Sequence, residues 1–243
     1  MVAGFWAKND SGIVQVDENY VNICMVAKGS ATLNDNYPAN TIGYLGTSAR
    51  LTFAKSSYPF PPIIALRSGY YCNAFFARSP GGSNWLYDIM SNAPDGTAID
   101  YYIFGTNLVH ASDFGLLIKK ANGDVCFSSD RPPLRVIDYL TGDITGTFNG
   151  STGQIIDAAT HNYGSGRTYA FISGFVAYRY SSTFSGANFS QSAHISVART
   201  VSNGIQTGKL NYRQTTTSNV SGQTVADYVW KKSNILVTDV TGY

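Results

Sequence analysis

Three aspartates, Asp138, Asp143 and Asp157, stand in or beside a Gly/Thr-rich stretch that runs up to His161. Two carboxylates flanking a glycosidic bond can serve as general acid and as base or nucleophile, so this grouping is the best case for hydrolytic chemistry. The same residues have a plainer use: Asp beside Gly and Thr bonds its own backbone and makes turns. Other catalytic patterns are missing. His110, His161 and His194 are isolated, with no HxH, HExxH or Cys/His spacing suited to a metal. The sequence has no GxSxG nucleophile elbow and no phosphate loop. The expectation is a non-enzymatic chain with no cofactor and no metal, and glycan hydrolysis ranks below binding.

Aromatic residues beside polar loops are the second kind of candidate. Tyr70, Tyr71, Trp85 and Tyr87 bracket the loop Ser79 to Asn84, and Tyr178, Tyr180 and Phe184 precede Ser185-Gly186-Ala187-Asn188. Exposed ring faces stack on sugars while neighbouring Asn and Asp bond hydroxyls. Trp85, Tyr87, Tyr178, Tyr180 and Phe184 are therefore the candidate ligand-binding residues. The same rings suit the inward face of a strand or a subunit interface, and their spacing does not separate these uses.

The elements that must position these residues read as strands. Gly4 to Val16 and Gly115 to Phe127 align without a gap at a separation of 111 residues, with Gly4, Lys8, Gly12 and Val14 falling on Gly115, Lys119, Gly123 and Val125. Each is an apolar run, a polar turn ending in Gly and a second run, which is a β-hairpin pattern. The two hairpins are expected to be topologically equivalent, with Phe5, Trp6 and Ala7 facing a core or interface as Leu116, Leu117 and Ile118 do. Elsewhere, apolar runs of mostly 4 to 8 residues alternate with Gly, Pro, Asn and Ser. Gly29-Ser30 reads as a turn, and Asn188 to Ala193 as a short helical turn. The pattern predicts an all-β chain, an antiparallel β-sandwich of jelly-roll type, as one sandwich or two subdomains. A change of texture near Asp138 suggests a division into 1–137, an N-terminal sandwich carrying the duplicated hairpin, and 138–243, a C-terminal β-rich domain. The alternative is one continuous sandwich with a long loop.

Composition limits the classes of function. Fourteen of the fifteen acidic residues are Asp, and Glu18 is the only Glu. Scarce straight-chain helix formers and abundant Thr, Val and Tyr argue against an α-rich fold. Charged residues are 13% of the chain, about half the usual share. With 17 Tyr, such a surface suits packing against other subunits or against sugars. A net charge of +2 is too small to argue for nucleic acid or an anionic membrane. No apolar stretch approaches the ~20 residues of a membrane-spanning helix, and the first residues do not read as a secretion signal. Cys24, Cys72 and Cys126 lack CxxC spacing and are odd in number, which predicts buried free thiols in a chain folded in a reducing cytoplasm.

The opening Gly-Phe-Trp-Ala-Lys-Asn-Asp-Ser-Gly-Ile-Val-Gln-Val-Asp resembles the start of a group of small tail proteins of tailed bacteriophages. Phe114 to Val136 resembles that group more closely: a hairpin with Asn-Gly at its tip, then Phe-Ser-Ser and a Pro-containing exit. The resemblance covers roughly residues 1 to 137. It implies a virion component at the distal tail, in a baseplate or beside the fibres, folded in the host cytoplasm. It supplies no catalytic residues. The expected partners are other tail proteins and further copies of the chain, a trimer by analogy with tail fibres. A host surface glycan or protein is a further expected contact, with the 138–243 half as the exposed, receptor-facing part. A carbohydrate-binding module that contacts the host directly is the second reading.

Overall fold

The computed structural model describes residues 6–8, 14–17, 22–34, 47–77, 82–106, 115–143, 154–185, 188–218, 227–230 and 232–243. These form strands β1 (Trp6–Lys8), β2 (Val14–Asp17), β3 (Cys24–Thr32), β4 (Thr47–Ala54), β5 (Ile63–Arg67), β6 (Cys72–Ala77), β7 (Asn84–Ser91) and β8 (Ala98–Gly105). After them come β9 (Leu117–Lys119), β10 (Val125–Ser128), β11 (Val136–Asp143), β12 (Ile155–Asn162) and β13 (Tyr169–Ser173). The last five are β14 (Tyr178–Ser185), β15 (Asn188–Val201), β16 (Gly204–Ser218), β17 (Asp227–Trp230) and β18 (Lys232–Asp239). No helix occurs among the described residues. Alternation explains the strands locally: in β4, Leu51 and Phe53 are buried while Thr52 and Ala54 are exposed, the period of a strand with one face on a core.

Two antiparallel sheets pack face to face as a β-sandwich. One has the order β11-β18-β13-β5-β8-β3; the other runs β12-β16-β15-β6-β7-β4, with β14 and β17 added beside β15. The core between them holds Leu33, Leu66, Cys72, Ile89, Ile99, Phe171, Ala198, Ile205, Ile235 and Val237. Each large side chain buried there contributes about 1.5–3 kcal/mol. The outer face of the first sheet has its own apolar cluster, including Ala65, Tyr102, Phe104, Ala170 and Val240. At that sheet's edges, Cys24 in β3 bridges Pro133, just before β11. Met25 N–H donates to Pro132 O and Leu134 N–H to Ile23 O, both at 2.8 Å.

The strand order is that of a duplicated unit. Each hairpin pairs with the same register: Trp6 with Asp17, Ala7 with Val16 and Lys8 with Val14, matched 111 residues later by Leu117 with Ser128, Ile118 with Phe127 and Lys119 with Val125. Both hairpins carry their register shift at the same place. The expected equivalence therefore holds for the strand pairing. Ile118 is buried and Leu116 is half exposed, while the side chains of the first hairpin lie outside the described residues.

The equivalence continues beyond the hairpins. Each half then gives an edge strand to each sheet (β3 and β4; β11 and β12), an inner strand to each (β5 and β6; β13 and β15) and a middle strand to each (β7 and β8; β16 and β18). Strands β14 and β17 are an insertion in the second half. The innermost strands of the two halves meet antiparallel, Leu66 opposite Phe171 in one sheet and Cys72 opposite Ala198 in the other. Antiparallel pairing of equivalent strands is what an approximate two-fold axis requires.

This arrangement corrects the division at 137/138. Both sheets take strands from both halves, and one core runs across the join, so the halves are not separate sandwiches. The 111-residue repeat is a repeat of half-sheets, which cannot bury both their faces alone.

Two local expectations also change. Gly29-Ser30 is not a turn, because β3 runs straight through it. A Cβ on Gly29 would come within 2.6 Å of the Tyr101 hydroxyl on the paired strand, so this glycine makes room for a ring lying across it. Asn188 to Ala193 is strand rather than helical turn, since β14 on one side and β16 on the other bond its backbone. The three cysteines are free and buried, as expected. Burial pushes the thiol of Cys72 up to about 12 and that of Cys24 up to about 11.

Candidate functional site

The duplication allows the two halves to be compared place by place. Leu66 pairs with Tyr101 in the first half and Phe171 with Val237 in the second. Four residues earlier on the middle strands stand Thr97 and Ser233. Leu33 N–H bonds Thr97 O at 2.9 Å, and Gly142 pairs with Ser233. Gly142 thus occupies the place of Leu33. In the other sheet Cys72 pairs with Ser91 and Ala198 with Thr207; two residues on, Lys209 occupies the place of Ala93. Across the edge strands, Ala49 pairs with Ile89 and His161 with Ile205.

Leu33 and Ala93 are buried, at 0% and 4% exposure, and seal their end of the sandwich. Replacing them with Gly142 and Lys209 leaves a cleft of about 250 Å³ at the equivalent end of the second half. It is lined by Thr141, Gly142, Asp157, His161, Ser196, Thr207, Lys209 and Ser233, among others. A fold used twice, packed with apolar side chains once and opened with polar ones once, is the strongest sign of a site in this molecule.

Lys209 Nζ lies 2.5 Å from Asp157 Oδ2, with the Lys209 side chain 14% and the Asp157 side chain 64% exposed. Asp157 has φ 52°, the only left-handed non-glycine residue among those described, and sits at a register shift of β12 against β16. That backbone costs about 1–3 kcal/mol, and such strain gathers at sites. It places the carboxylate at the mouth of the cleft. His161 Nε2 and Thr207 Oγ1 are 3.4 Å apart, and Ser233 Oγ donates to Gly142 O at 3.3 Å. On β15, two residues before the cleft-lining Ser196, His194 is fully buried. Burial first, then the charges of Arg179 and Lys209, hold its pKa down at about 4, so it stays neutral.

A second hollow of about 520 Å³ shares Thr141, Gly142 and Ser233 with the cleft and adds Tyr139, Phe175, Lys232 and Asn234. Ile235 and Val237 of β18 face the core between the sheets, so Asn234 points to the other side. Tyr139 and Phe175 are 55% and 70% exposed. Asn234 holds both ends: Phe175 N–H donates to its Oδ1 at 2.5 Å, and its Nδ2 donates to the Tyr139 hydroxyl at 3.1 Å.

The residues expected from the sequence are placed differently. Tyr87 is core, edge-on to Phe53, with its hydroxyl donating to Pro62 O; burial raises it to about 12. Trp85 is half-buried, donates to Tyr58 O at 2.7 Å and carries Lys55 Nζ 4.5 Å above its ring. Tyr178 is half-buried against Tyr212, and Tyr180 is half-buried in β14. The side chains of Phe184 and Asp143 lie outside the described residues. Asp138 accepts the Tyr163 hydroxyl at 2.8 Å, and burial and Asp138 together raise that phenol. It does not line the cleft with Asp157, so the described residues do not assemble a carboxylate pair there. No group of three His, Cys, Asp or Glu among them is placed to hold a metal.

Sequence reasoning named Asp157 and His161 but missed Gly142, Lys209, Tyr139 and Phe175. Their only signal is the departure of one repeat from the other, legible once the strands are paired. No protein-family model, no curated protein and no solved structure matches the chain.

Proposed function

We propose that the chain is a non-enzymatic structural component of a bacteriophage tail tip or baseplate, and that it takes a host-surface ligand in the cleft around Gly142 and Lys209. The observation that carries the recognition role is the contrast between Leu33 with Ala93 and Gly142 with Lys209 at equivalent places. The tail setting is supported by the hairpin pattern of Phe114 to Val136 and by low charge. Binding rather than hydrolysis is supported by the engagement of the acids: Lys209 holds Asp157, and Tyr163 holds Asp138.

The test is a phage whose copy of this chain carries Gly142→Leu. Gly142 is outside the positive-φ region, and among the described residues its added Cβ would meet only the rotatable Ser233 Oγ, at 3.1 Å, so the leucine can refill the space that Leu33 fills in the other half. The expected result is particles of normal morphology with the chain at the tail end and at least tenfold slower adsorption. Particles that lack the chain, or that adsorb at the parental rate, would overturn the reading. Homo-oligomeric assembly, as a trimer, is part of the same proposal; light scattering that returns a 26.2 kDa monomer at micromolar concentration would remove it.

A further inference from the structure

We infer that the ligand of this cleft is a neutral saccharide, held by its hydroxyls between the sheets. The inference rests on the reading of the cleft as a recognition site and gives that ligand a chemical class.

Charge is the first argument. Among the described residues, the cleft contains one cation and one anion, Lys209 and Asp157, already paired at 2.5 Å. Lys209 is mostly desolvated, so a charged ligand would have to replace a pair formed within the protein, and an unpaired charge left there would be costly. A ligand without net charge keeps the pair and still bonds the free faces of the exposed Asp157 carboxylate.

Hydrogen-bonding character is the second. Thr207 and Ser233 offer hydroxyls that donate and accept, and His161 adds a ring nitrogen that can do either. Vicinal sugar hydroxyls have the same dual character. A phosphate or carboxylate ligand would call for several donors, such as a backbone nest or a paired arginine, and no Arg among the described residues lines this cleft.

Size is the third. A cleft of about 250 Å³ lies just below the usual ligand-pocket range of about 300–1,000 Å³, which suits one ring rather than a buried chain.

The test is saturation-transfer NMR and calorimetry on the full chain. The probes are the methyl glycosides of glucose, galactose and mannose, N-acetylglucosamine, and glucuronate as the charged counterpart of glucose. At least one neutral sugar should bind, more tightly than glucuronate. Gly142→Leu should abolish the signal, and Thr207→Val, which removes a cleft hydroxyl, should weaken it at least fivefold, with thermal unfolding like the parent. Silence from every neutral sugar, stronger binding of glucuronate than of glucose, or an unchanged signal in both variants would overturn the inference. The two proposals fail separately. Slow adsorption of the Gly142→Leu phage with no sugar bound leaves the recognition site and removes the saccharide. Sugar binding lost in Gly142→Leu protein while the phage adsorbs normally leaves the saccharide and removes the host contact.

Discussion

Phe171→Ala tests whether the two halves share one core. Phe171 is 0% exposed and lies opposite Leu66 where the halves meet. Removing a fully buried phenyl ring costs about 3–5 kcal/mol, the transfer term plus the cavity. The upper part of that range applies here, because both neighbouring strands are bonded into the sheet and cannot collapse inward. With a urea dependence of about 2–3 kcal/mol per molar, a loss of roughly 4 kcal/mol lowers the midpoint by about 1.3–2 M. The assay is urea unfolding in a chain whose Trp6 and Trp230 are replaced by Phe, leaving Trp85 in β7 as a reporter of the first half. Circular dichroism follows all strands. One core predicts that both signals move together when Phe171 is truncated. A Trp85 transition that keeps its parental midpoint while the dichroism shifts would show two independent units and refute the argument.

Two further outcomes follow from buried charge. His194 is held near pKa 4 in the fold against an ordinary value of 6.5, so its contribution is intact above pH 6.5 and is lost as pH falls from there toward 4, up to about 3 kcal/mol; His194→Gln should flatten that limb of the stability profile, and an unchanged acid limb would show that other groups govern it. Asp88 is 1% exposed and receives two bonds from Arg50, at 2.6 and 3.0 Å. Arg50→Met should cost about 2–3 kcal/mol at pH 7 by leaving the carboxylate buried without its main partner. Adding Asp88→Asn should restore part of the loss in thermal unfolding, and no recovery would place the cost in packing instead.

Local chemistry made much of this protein legible before any strand was paired. Scarce Glu, plentiful β-branched and aromatic residues and Gly-punctuated short runs specify an all-β chain, because each acts through backbone preference within a few residues. The hairpin repeat is readable for the same reason: turn and strands lie within thirteen contiguous positions, and the spacing of 111 recurs in strand bounds and register. Past the hairpins the equivalence disappears from the sequence. The separation is 105 at Leu66 and Phe171, 126 at Cys72 and Ala198, 116 at Ser91 and Thr207, and 136 at Tyr101 and Val237. Loop lengths and the β14 and β17 insertion shift it each time, while strand pairing keeps it.

Only the tertiary structure could therefore join the halves. It alone showed that Gly142 stands where Leu33 does, and that Lys209 stands where Ala93 does. Exposure is likewise a property of the assembled sheets. Tyr87 and Tyr139 are alike in the sequence, yet one packs edge-on against Phe53 and the other faces solvent, because it lies on the outer face of its sheet while its neighbour Leu140 packs inward. Residue types determined that strands would form; which faces they bury was decided by pairings between residues more than a hundred positions apart.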